Sequence, residues 1–423
     1  MKFLFVTREA LSVDLAWQLT KEGHEVNFYV QNQSEKDVGD GFVTKVDQWE
    51  TQKDWADVII FDDLGSATTI EKLRAEGKAV VGGTAYTDRL EDDREFGQEE
   101  LKKAGVNILP SWNFTSFDEA IAFIKQNPDR YVIKPSGKAQ NEKELLFVGQ
   151  EDDGKDVEQV LEHYKNKWAS KIKIFLLQKY AQGVEVAVGA FFNGNDFIEP
   201  ININFEHKRL FPNDIGPSTG EMGTSMFFSK PNPMFEMTLL KMKEQLRASK
   251  YVGYIDINCI ANGKGIFPLE WTTRFGYPTI SIHMEGILSE WGTFLSDIAH
   301  GKPTQLKTKR GYQVGVVIAV PPFPFEDEKA FRKYSEDATI LFRKPNLNGI
   351  HIGEVKLEEG DWKLAGRSGY SLVVTGSGVT MQDATAQAYQ AVKNVMIPNM
   401  FYRDDIGRRW SRDSDMLFAW GYL

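Results

Sequence analysis

The segment EHKRLFPNDIGPSTGEMGTSMFF, which runs from Glu206 to Phe228, is the most informative stretch of this sequence. It places His207, Lys208, Arg209 and Asp214 among several glycines. Glycine lets a backbone come close to a ligand, and a surface loop rarely needs so many chemically distinct side chains. The segment therefore indicates a binding site, and the strands around it indicate the fold that carries the site.

Strand patterns flank this segment on both sides. IFLLQKYAQGVEVAVGAFFNGNDFI predicts two strands around a turn and then a hairpin at Asn193-Gly194. NPMFEMTLLKMKEQLRAS has the pattern of one long helix, and YVGYIDINCIANGKGIFPLEW predicts two strands joined at Asn262-Gly263. The centre of the chain is therefore expected to form antiparallel hairpins.

The two ends of the chain carry different patterns. KFLFVT, EVNFYV, DVIIFDD and AVVGG are short apolar strands with helical patterns between them, which predicts a parallel sheet covered on both faces over about residues 1–100. A polar boundary follows at about 304–312. Beyond it, GVVIAVPP, IHIGEVKLEEG and SLVVTGSG predict antiparallel strands, and MQDATAQAYQAVKNV predicts a helix.

Composition limits the classes of function. The net charge of −10 makes a nucleic-acid backbone an unlikely main partner. The single cysteine, Cys259, cannot form an internal disulfide, which fits a cytoplasmic protein. We expect no signal peptide in MKFLFVTREA and no membrane span, because no run of 18 apolar residues exists.

Asp256 and Glu270 lie on the two strands predicted to pair through the Asn262-Gly263 turn. Paired strands bring such side chains within several ångströms of each other. Two carboxylates on one face suit a hard cation such as Mg²⁺, which in turn suggests a nucleoside triphosphate. Solvated strand faces are the alternative that spacing alone leaves open.

Three cations follow strands. Lys134 ends YVIK and Lys143 follows in a polar loop, where each could be a point charge for phosphate. Arg274 comes four residues after Glu270 and could hold a carboxylate that is being phosphorylated. An ordinary strand end or a surface salt bridge is the alternative in each case.

Gln178, Lys179 and Tyr180 stand where a strand gives way to a turn. Their backbone N–H and C=O groups could bind an adenine edge, and Glu185 could accept hydrogen bonds from ribose hydroxyls. An ordinary strand end is equally consistent with this pattern.

Longer motifs resemble a known family. EHKRLFPNDIGPSTGEMG resembles D-H-K-R-x-x-x-x-D-x-G-P-N-T-G-G-M-G, and EWTTRFGYP resembles E-F-N-x-R-F-G-D-P, of phosphoribosylamine–glycine ligase (glycinamide ribonucleotide synthetase) in the ATP-grasp superfamily. YRDDIGRR and AGRSGYSLVVTGSGVTMQDATAQAYQAV are similar to its C-terminal motifs Y-R-x-D-I-G and G-G-R-V-L-x-V-T. DLAW also resembles part of the first helix of that family. The matches are collinear and cover nearly the whole chain.

The resemblance implies a multidomain protein of α/β and α+β class. We expect an N-terminal parallel α/β domain over 1–100, an ATP-grasp domain over 101–305 with a mobile lid at about 115–180, and a small C-terminal mixed β domain over 306–423.

The resemblance also implies a reaction. ATP, with Mg²⁺ or Mn²⁺, would phosphorylate a carboxylate to an acyl phosphate, and an amine would then attack to form an amide. Partners would be small molecules, and the chain would be a monomer or homodimer. Residue roles implied by the resemblance are catalysis by Arg274, Asp214 and Lys208; ATP binding by Lys134, Lys143, Gln178, Lys179, Tyr180 and Glu185; substrate binding by Asp214, Thr219, Gly220, Arg274 and Arg367; and metal binding by Asp256, Glu270 and Thr272.

Departures from the family pattern concentrate at substrate-facing positions. The glycine-rich turn G-N-G-G-R-E-H is TREALSV here, with Glu9 and Ala10 in place of glycines. A glutamate there would repel the phosphate of a phosphoribosylamine acceptor. Two reactions therefore stay open: glycinamide ribonucleotide formation, and a related amide- or peptide-type ligation. Glu221 replaces another glycine and Tyr277 an aspartate of the family motifs.

The loop expected to cover the ATP phosphates is also altered. It contains NEKEL, in which Glu142 and Glu144 flank Lys143, where the family has A-G-K-G-V. Thr272 stands where the family has a metal-binding asparagine, and a hydroxyl can replace it. These changes keep open a non-catalytic nucleotide- or metabolite-binding protein on the same scaffold. An unrelated kinase or oxidoreductase is disfavoured because no Walker loop or Gly-x-Gly-x-x-Gly fingerprint occurs.

Overall fold

The computed structural model describes residues 1–136, 145–325 and 327–423. Its N-terminal part is a parallel sheet with helices around it. Apolar strands fill the centre of this sheet, where Phe3, Leu4 and Phe5 are fully buried. The strands are β1 Lys2–Thr7, β2 Glu25–Val30, β3 Thr44–Lys45, β4 Val58–Phe61 and β5 Val80–Val81, in the order β3-β2-β1-β4-β5. The helices are α1 Val13–Lys21, α2 Ala67–Ala75, α3 Ala85–Asp92 and α4 Arg94–Lys103.

A second, smaller unit follows. It is a four-stranded antiparallel sheet packed against two helices through an apolar core that includes Ile133, Leu177, Ile124 and Leu161. Its elements are β6 Ser111–Phe114, α5 Phe117–Gln126, β7 Tyr131–Pro135, β8 Phe147–Val148, α6 Lys155–Lys167 and β9 Phe175–Lys179, with strand order β6-β9-β7-β8.

The centre of the chain contributes five strands of a large antiparallel sheet. Asn193 and Asn262 end the first strands of the two predicted hairpins, which are confirmed. The elements are β10 Val184–Asn193, β11 Phe197–Glu206, β12 Arg209–Phe211, β13 Ile215–Ser218, β14 Gly223–Ser229, α7 Pro233–Met237, α8 Lys243–Ala248, β15 Val252–Asn262, β16 Gly265–Thr272, α9 Thr279–Gly286 and α10 Trp291–Ala299, of which β12 and β13 form a separate pair.

The C-terminal part extends the same sheet. The elements are β17 Tyr312–Ala319, α11 Glu328–Tyr334, β18 Thr339–Phe342, β19 Ile350–Ile352, β20 Val355–Glu358, β21 Asp361–Leu364, β22 Tyr370–Gly378, α12 Met381–Val392, β23 Val395–Met396 and α13 Trp410–Ala419. The eight-stranded order is β16-β15-β10-β11-β14-β17-β22-β19, and β20-β21-β18-β23 form a further sheet. Because β14 pairs with β17, the large sheet continues across the boundary expected at residue 305. The domain limits remain a prediction, and the multidomain α/β and α+β class is confirmed.

One predicted element was wrong. The long helix expected over NPMFEMTLLKMKEQLRAS is α7, a 3₁₀ turn over Leu239–Met242 and α8. The interruption occurs at Thr238, whose hydroxyl donates to the carbonyl of Met234 at 2.6 Å and competes with the helical backbone bonds. No helix in the described part of the chain is both long and apolar enough to cross a membrane.

Candidate active site

In the half of the large sheet formed by β16, β15, β10 and β11, one face is apolar and the other carries many polar side chains. Side chains alternate along each strand, so Val186, Val188, Ile255 and Ile257 enter the apolar core while their neighbours point to the opposite face. The register places Asp256 opposite Thr272 and Asn258 opposite Glu270. The polar face carries Glu185, Asn202, Asn204, Glu206, Asp256, Asn258, Glu270 and Thr272.

Lys208 lies at the centre of the carboxylates on this face. Its ammonium forms an ion pair with Glu270 and lies 3.4 Å from Glu206 and 3.7 Å from Glu185. Burial alone would lower the pKa of Lys208, but attraction by these carboxylates, Glu270 first, raises it well above its usual range. The positive charge of Lys208 in turn lowers the pKa of Glu270 to about 2. Both groups are therefore charged at neutral pH.

Two further cations converge on Glu270. Lys134 lies in β7, is 8 % exposed, and has a pKa lowered to about 8, mainly by burial and then by the positive charge of Arg94. Arg94 begins α4, and its Nε is buried without a hydrogen-bond partner in the described part of the chain. After Lys208, the positive charges of Arg94 and Lys134 also hold down the pKa of Glu270. Lys134, Arg94, Lys208 and Glu270 thus form one charged cluster, which we call the cation cluster.

Sequence reasoning missed Arg94. The only available signal was an arginine in the first turn of a helix, which is an unusual place for a positive charge because the helix N-terminus is itself positive. Glu206 was also missed as a functional residue, although it begins the segment that opened the sequence analysis. Its carboxylate accepts a 2.8 Å hydrogen bond from Asn258.

Asp256 and Thr272 lie deeper on the polar face. Asp256 is 2 % exposed, and burial, followed by repulsion from Glu206, raises its pKa well above the usual range. The hydroxyls of Tyr254 and Thr272 donate hydrogen bonds to it. Glu270 is different, with 45 % of its side chain exposed. Within the described ranges no group of three or more His, Cys, Asp or Glu side chains is arranged to hold a metal ion.

The segment predicted to hold adenine is already hydrogen-bonded. The N–H groups of Lys179 and Tyr180 donate to the carbonyls of Pro110 and Arg130, each at 2.9 Å. Gln178 is 2 % exposed within β9. These two N–H groups are therefore not free for an adenine edge, in contrast to the sequence-based expectation.

The side chains of this segment are also engaged. The Lys179 ammonium forms an ion pair with Asp129, and the Tyr180 ring lies 3.6 Å from the Arg130 guanidinium. Lys143, the second lysine expected at the phosphates, lies outside the described residues.

Thr219 and Gly220 lie between β13 and β14. The Thr219 hydroxyl and N–H donate to the carbonyl of Lys208 at 2.9 and 2.7 Å. Thr219 is 3 % exposed, whereas Gly220 is exposed. Thr219 therefore fixes the backbone of Lys208, and only Gly220 of this pair is open to a ligand.

Asp214 belongs to an ion-pair network with the C-terminal region. Its carboxylate lies 2.8 Å from Arg403, which is 1 % exposed and lies 2.7 Å from Asp405. Asp405 also accepts a 2.9 Å hydrogen bond from the N–H of Asn213. The network connects the loop after β12 to the sequence YRDDIG, so that the two motifs are adjacent in space.

Arg274 lies between the polar face and the N-terminal sheet. Its guanidinium is 3.2 Å from Glu91 and 3.9 Å from Asp63. Burial opposes its charge, but Glu91 and Asp63 raise its pKa above the usual value, and Asp256 contributes in the same direction. Arg274 therefore connects the polar face to the carboxyl end of β4.

Arg367 lies on another side of the N-terminal sheet. Its guanidinium contacts Glu35 at 3.0 Å and Glu9 at 3.4 Å. It also lines a cavity of about 230 Å³ between the N-terminal and C-terminal regions, together with Lys36, Asp37 and Arg332. The predicted substrate-binding role of Arg367 stays a prediction.

The parallel sheet, the small antiparallel sheet that carries Lys134 and the large antiparallel sheet that carries Glu270 together define an ATP-grasp protein. Known proteins give the family. The profile described as "Phosphoribosylglycinamide synthetase, ATP-grasp (A) domain" matches residues 92–279, and the profile of the C domain of the same synthetase matches residues 313–409. The chain belongs to this family of phosphoribosylglycinamide synthetase-like ATP-grasp proteins.

Relatives agree with this assignment. A phosphoribosylamine–glycine ligase of Streptococcus pyogenes serotype M1 is 26% identical over 376 residues, which is 86% of this chain and 86% of that protein. One from Halalkalibacterium halodurans is 24% identical and covers 81% of this chain and 79% of its own length. The crystal structure of the Thermotoga maritima phosphoribosylamine–glycine ligase has a TM-score of 0.71 at 22% identity, covering 96% of this chain and 100% of that one.

A more distant neighbour shares the fold. It is the biotin carboxylase domain of 2-oxoglutarate carboxylase from Hydrogenobacter thermophilus, solved with MgADP and bicarbonate, with a TM-score of 0.64 at 14% identity. It covers 95% of this chain and 91% of that chain.

Proposed function

We propose that the protein is an ATP-dependent ligase that joins a carboxylate to an amine through an acyl phosphate. The observation that carries the proposal is the cation cluster, in which Lys134, Arg94 and Lys208 converge beside the accessible carboxylate of Glu270. Phosphoryl transfer asks the protein mainly to position polyanions and to neutralise charge. The family and its relatives, named as ligases, favour this function over non-catalytic nucleotide binding.

Lys134 and Arg94 would contact the triphosphate of ATP. Arg94 is suited to this because its buried Nε lacks a hydrogen-bond partner among the described residues, and an unsatisfied buried donor is costly. The ammonium of Lys208 would then interact with both Glu270 and the phosphates. The adenine would be held near Gln178 by groups other than the N–H groups of Lys179 and Tyr180, and Glu185 would bind the ribose.

The polar face fits a divalent cation. Mg²⁺ is commonly held by one or two carboxylates together with substrate phosphates, so a larger set of protein ligands is not required. Burial raises the pKa values of Glu206 and Asp256. Repulsion by Glu185 and Glu270 raises that of Glu206 further, and repulsion by Glu206 raises that of Asp256 further, which indicates a shortage of positive charge on this face. We propose that Glu270 and the Thr272 hydroxyl hold Mg²⁺ or Mn²⁺, while Asp256 orients Thr272. The bound ion would neutralise charge on the phosphates.

Arg274 would hold the carboxylate of the first substrate. An oxygen of that carboxylate attacks the γ-phosphorus of ATP, and ADP leaves. The amine nitrogen then attacks the acyl carbon, inorganic phosphate leaves, and the nitrogen loses a proton to give the amide. The Asp214 loop and Gly220 would form part of the wall of the substrate site.

The test is ADP release by the purified protein with ATP and Mg²⁺, screened over amino acids as carboxylates and small amines as acceptors. Glycine with phosphoribosylamine is the first pair, because relatives bear the name of that reaction. We expect ADP release that requires both substrates and is lost in Lys134→Met. If the protein binds ATP but releases no ADP with every pair of carboxylate and amine tested, the proposal is contradicted.

Further properties stay proposals at this stage. We propose a cytoplasmic location and a monomeric or homodimeric protein that acts on small molecules. We also propose the division into domains at about residues 100 and 305, with residues 115–180 as a lid over ATP.

A further inference from the structure

Every backbone carbonyl from Glu206 to Arg209 accepts a hydrogen bond. The carbonyl of Lys208 accepts from the N–H and the hydroxyl of Thr219, at 2.7 and 2.9 Å. The carbonyls of Glu206, His207 and Arg209 accept from donors in other parts of the chain. Because the Lys208 ammonium belongs to the cation cluster, the position of this backbone decides where that charge lies.

Two of these donors are arginines of the C-terminal motif YRDDIGRR. Nη1 of Arg403 donates to the carbonyl of Arg209 at 3.0 Å, and Nη2 of Arg409 donates to the carbonyl of Glu206 at 2.7 Å. We call this pair of arginines the arginine clamp. The clamp holds the chain on both sides of Lys208, two residues before it and one residue after it.

Arg403 is itself fixed by carboxylates. It is 1 % exposed, and it donates to the two carboxylate oxygens of Asp405 at 2.8 and 2.7 Å and to Asp214 at 2.8 Å. A guanidinium with a bidentate carboxylate partner has a defined geometry. Asp214 and Asn213 both have a left-handed backbone, with φ of 56° and 61°, which is unfavourable for residues other than glycine. The hydrogen bonds from Arg403 to Asp214 and from the N–H of Asn213 to Asp405 offset that cost and hold the loop in place.

Arg409 is held by a different acid. Its guanidinium lies 3.3 Å from Asp413, one turn further along α13. The Nη2 that binds the carbonyl of Glu206 also lies 3.4 Å from the carbonyl of Glu185 in β10, so Arg409 joins two adjacent strands. The carboxylates of Glu185 and Glu206 lie 3.7 and 3.4 Å from the Lys208 ammonium. Arg409 therefore fixes the backbone of two residues whose side chains surround that ammonium.

His207 lies close to both arginines. Burial lowers its pKa to about 3, and the positive charges of Arg409 and Arg403 act in the same direction. His207 is 2 % exposed, and its N–H donates to the carbonyl of Gly223 at 2.9 Å. The residue before Lys208 is therefore neutral at neutral pH and adds no charge of its own to the cation cluster.

We infer that Arg403 and Arg409 are positioning residues for Lys208, so that the C-terminal segment completes the phosphate-binding part of the site on the large sheet. The inference rests on the proposed ligase function, in which Lys208 contacts the phosphates of ATP. Arg403 is too deeply buried to reach a substrate, and its Nε and both Nη atoms donate to groups of the protein. The clamp acts through the backbone from which the Lys208 side chain extends. A displacement of about 1 Å in such a group can cost about 100-fold in rate.

The test is a double-mutant cycle that combines Arg409→Met with Lys208→Met. Arg409 is substituted first because Asp413 keeps a second ion-pair partner, Arg412, at 2.8 Å. We expect Arg409→Met alone to lower kcat/KM for ATP about tenfold, a difference of about 1.4 kcal/mol. In the Lys208→Met background the same substitution should lower it less than about twofold, because the side chain that the clamp positions is absent. An equal loss in both backgrounds, which a role confined to folding would give, overturns the inference, and so does no loss in either.

Arg403→Lys is the second variant, and it takes the place of Arg409→Met if that variant does not fold. Lysine keeps a positive charge beside Asp405 but lacks the planar fork that binds a carboxylate and the carbonyl of Arg209 together. We expect a loss of about threefold in kcat/KM for ATP, which should again disappear in the Lys208→Met background. A loss that persists there overturns the inference.

The matched control is Arg408→Met, in the same C-terminal motif. The Arg408 side chain is 66% exposed, and its nearest ion-pair distance is 4.0 Å, to Asp404. We expect no change in kcat/KM in either background. Circular dichroism shows whether each variant is folded, and a tenfold loss in this control would remove the specific role of the clamp.

A binding measurement separates this inference from the proposed function. The unsubstituted protein, Arg409→Met, Lys208→Met and the double variant are each titrated calorimetrically with a non-hydrolysable ATP analogue and Mg²⁺. The Kd should rise about tenfold on Arg409→Met alone and less than about twofold when Lys208 is already methionine. This coupling without any ADP release supports the positioning role and contradicts the ligase. ADP release without the coupling supports the ligase and overturns the positioning role, and an unsubstituted protein that does not bind the analogue overturns both.

Discussion

The polar face of the large sheet and the carboxyl end of the parallel sheet are both rich in charged side chains, but the balance of cations and carboxylates differs between them. On the large sheet, Lys134, Arg94 and Lys208 converge on the accessible carboxylate of Glu270. At the carboxyl end of the parallel sheet, burial and then the negative charge of Asp63 raise the pKa values of Asp62, Asp88, Glu91 and Asp92. The Asp62 carboxylate accepts two hydrogen bonds from Ser12, just before α1. The first site gathers cations around one accessible carboxylate, whereas at the second site a buried carboxylate accepts the hydrogen bonds of Ser12 at the start of α1.

This contrast shows that charge must be judged by what each group contacts. Counting residues would give both places mixed acidic and basic character. The contacts distinguish an arginine such as Arg94, whose Nε lacks a partner among the described residues, from one such as Arg367, which is paired with two glutamates. The predictions below test whether this difference in pairing is also a difference in ligand.

Lys134→Met should have the largest effect. Methionine keeps the apolar stem of this buried side chain and removes its charge, so kcat/KM for ATP should fall at least about 100-fold, which corresponds to about 2.7 kcal/mol. ADP release at varied ATP concentration measures the change. The matched control is Lys125→Met, in α5, because Lys125 is 63% exposed and its ion pair with Glu158 is long, at 3.8 Å. Equal losses in the two variants would remove Lys134 from the ATP site.

Glu270→Gln should mainly change the requirement for the divalent cation. Loss of the accessible carboxylate should raise the Mg²⁺ concentration for half-maximal activity about tenfold, since one charged ligand becomes neutral. The activity is titrated with Mg²⁺ at fixed ATP for Glu270→Gln and for Glu244→Gln, an exposed glutamate in α8. A Mg²⁺ requirement that is the same in both variants contradicts the proposed ligand role of Glu270.

The hairpin carboxylates could be predicted from sequence because their neighbours are local. The Asn262-Gly263 turn fixes the pairing of β15 and β16, so Asp256 and Glu270 had to lie on adjacent strands. The alternating apolar residues fixed which face was buried. The difference in burial between the two carboxylates could not be predicted, because Asp256 is buried by groups from other strands whereas Glu270 is left accessible.

Contacts between residues that are far apart in the sequence could not be predicted. Arg94 reaches the cation cluster only because α4 packs against the large sheet, and Asp62 reaches Ser12 across 50 residues. The altered turn TREALSV predicted that a phosphate is disfavoured, but the hydrogen bonds of its Ser12 to Asp62, which follows β4, could not be predicted from it. Similarly, the ion pair of Asp214 with Arg403 joins two motifs that sequence analysis treated separately.

The pH dependence of kcat/KM for ATP should test the role of Lys134 in the cation cluster. Burial lowers the pKa of Lys134 to about 8, so its charge is present below that pH and is lost as the pH rises through it. kcat/KM for ATP, which reports the free enzyme, should therefore fall about tenfold for each pH unit above 8. At saturating ATP the negative charge of the bound phosphates keeps Lys134 protonated. The kcat should therefore stay constant over the same pH range.

Lys134→Arg provides the control for this profile, because arginine stays protonated throughout that range. Its kcat/KM should no longer fall between pH 8 and pH 9. A fall that persists in this variant would assign the titration to another group.

Ser12→Ala should have the smallest effect, and it concerns the carboxyl end of the parallel sheet alone. The substitution removes the 2.6 Å hydrogen bond to Asp62 and leaves the weaker bond from the Ser12 N–H, so the free energy of unfolding should fall by about 1–2 kcal/mol. Urea denaturation measures the change, and the matched control is Ser66→Ala. Ser66 precedes α2 in the same way but makes no capping hydrogen bond with its side chain, so its loss should cost under about 0.5 kcal/mol. Equal stabilities of the two variants would mean that the carboxylate of Asp62 is not held at the start of α1, and the contrast between the two regions would then lose its structural basis.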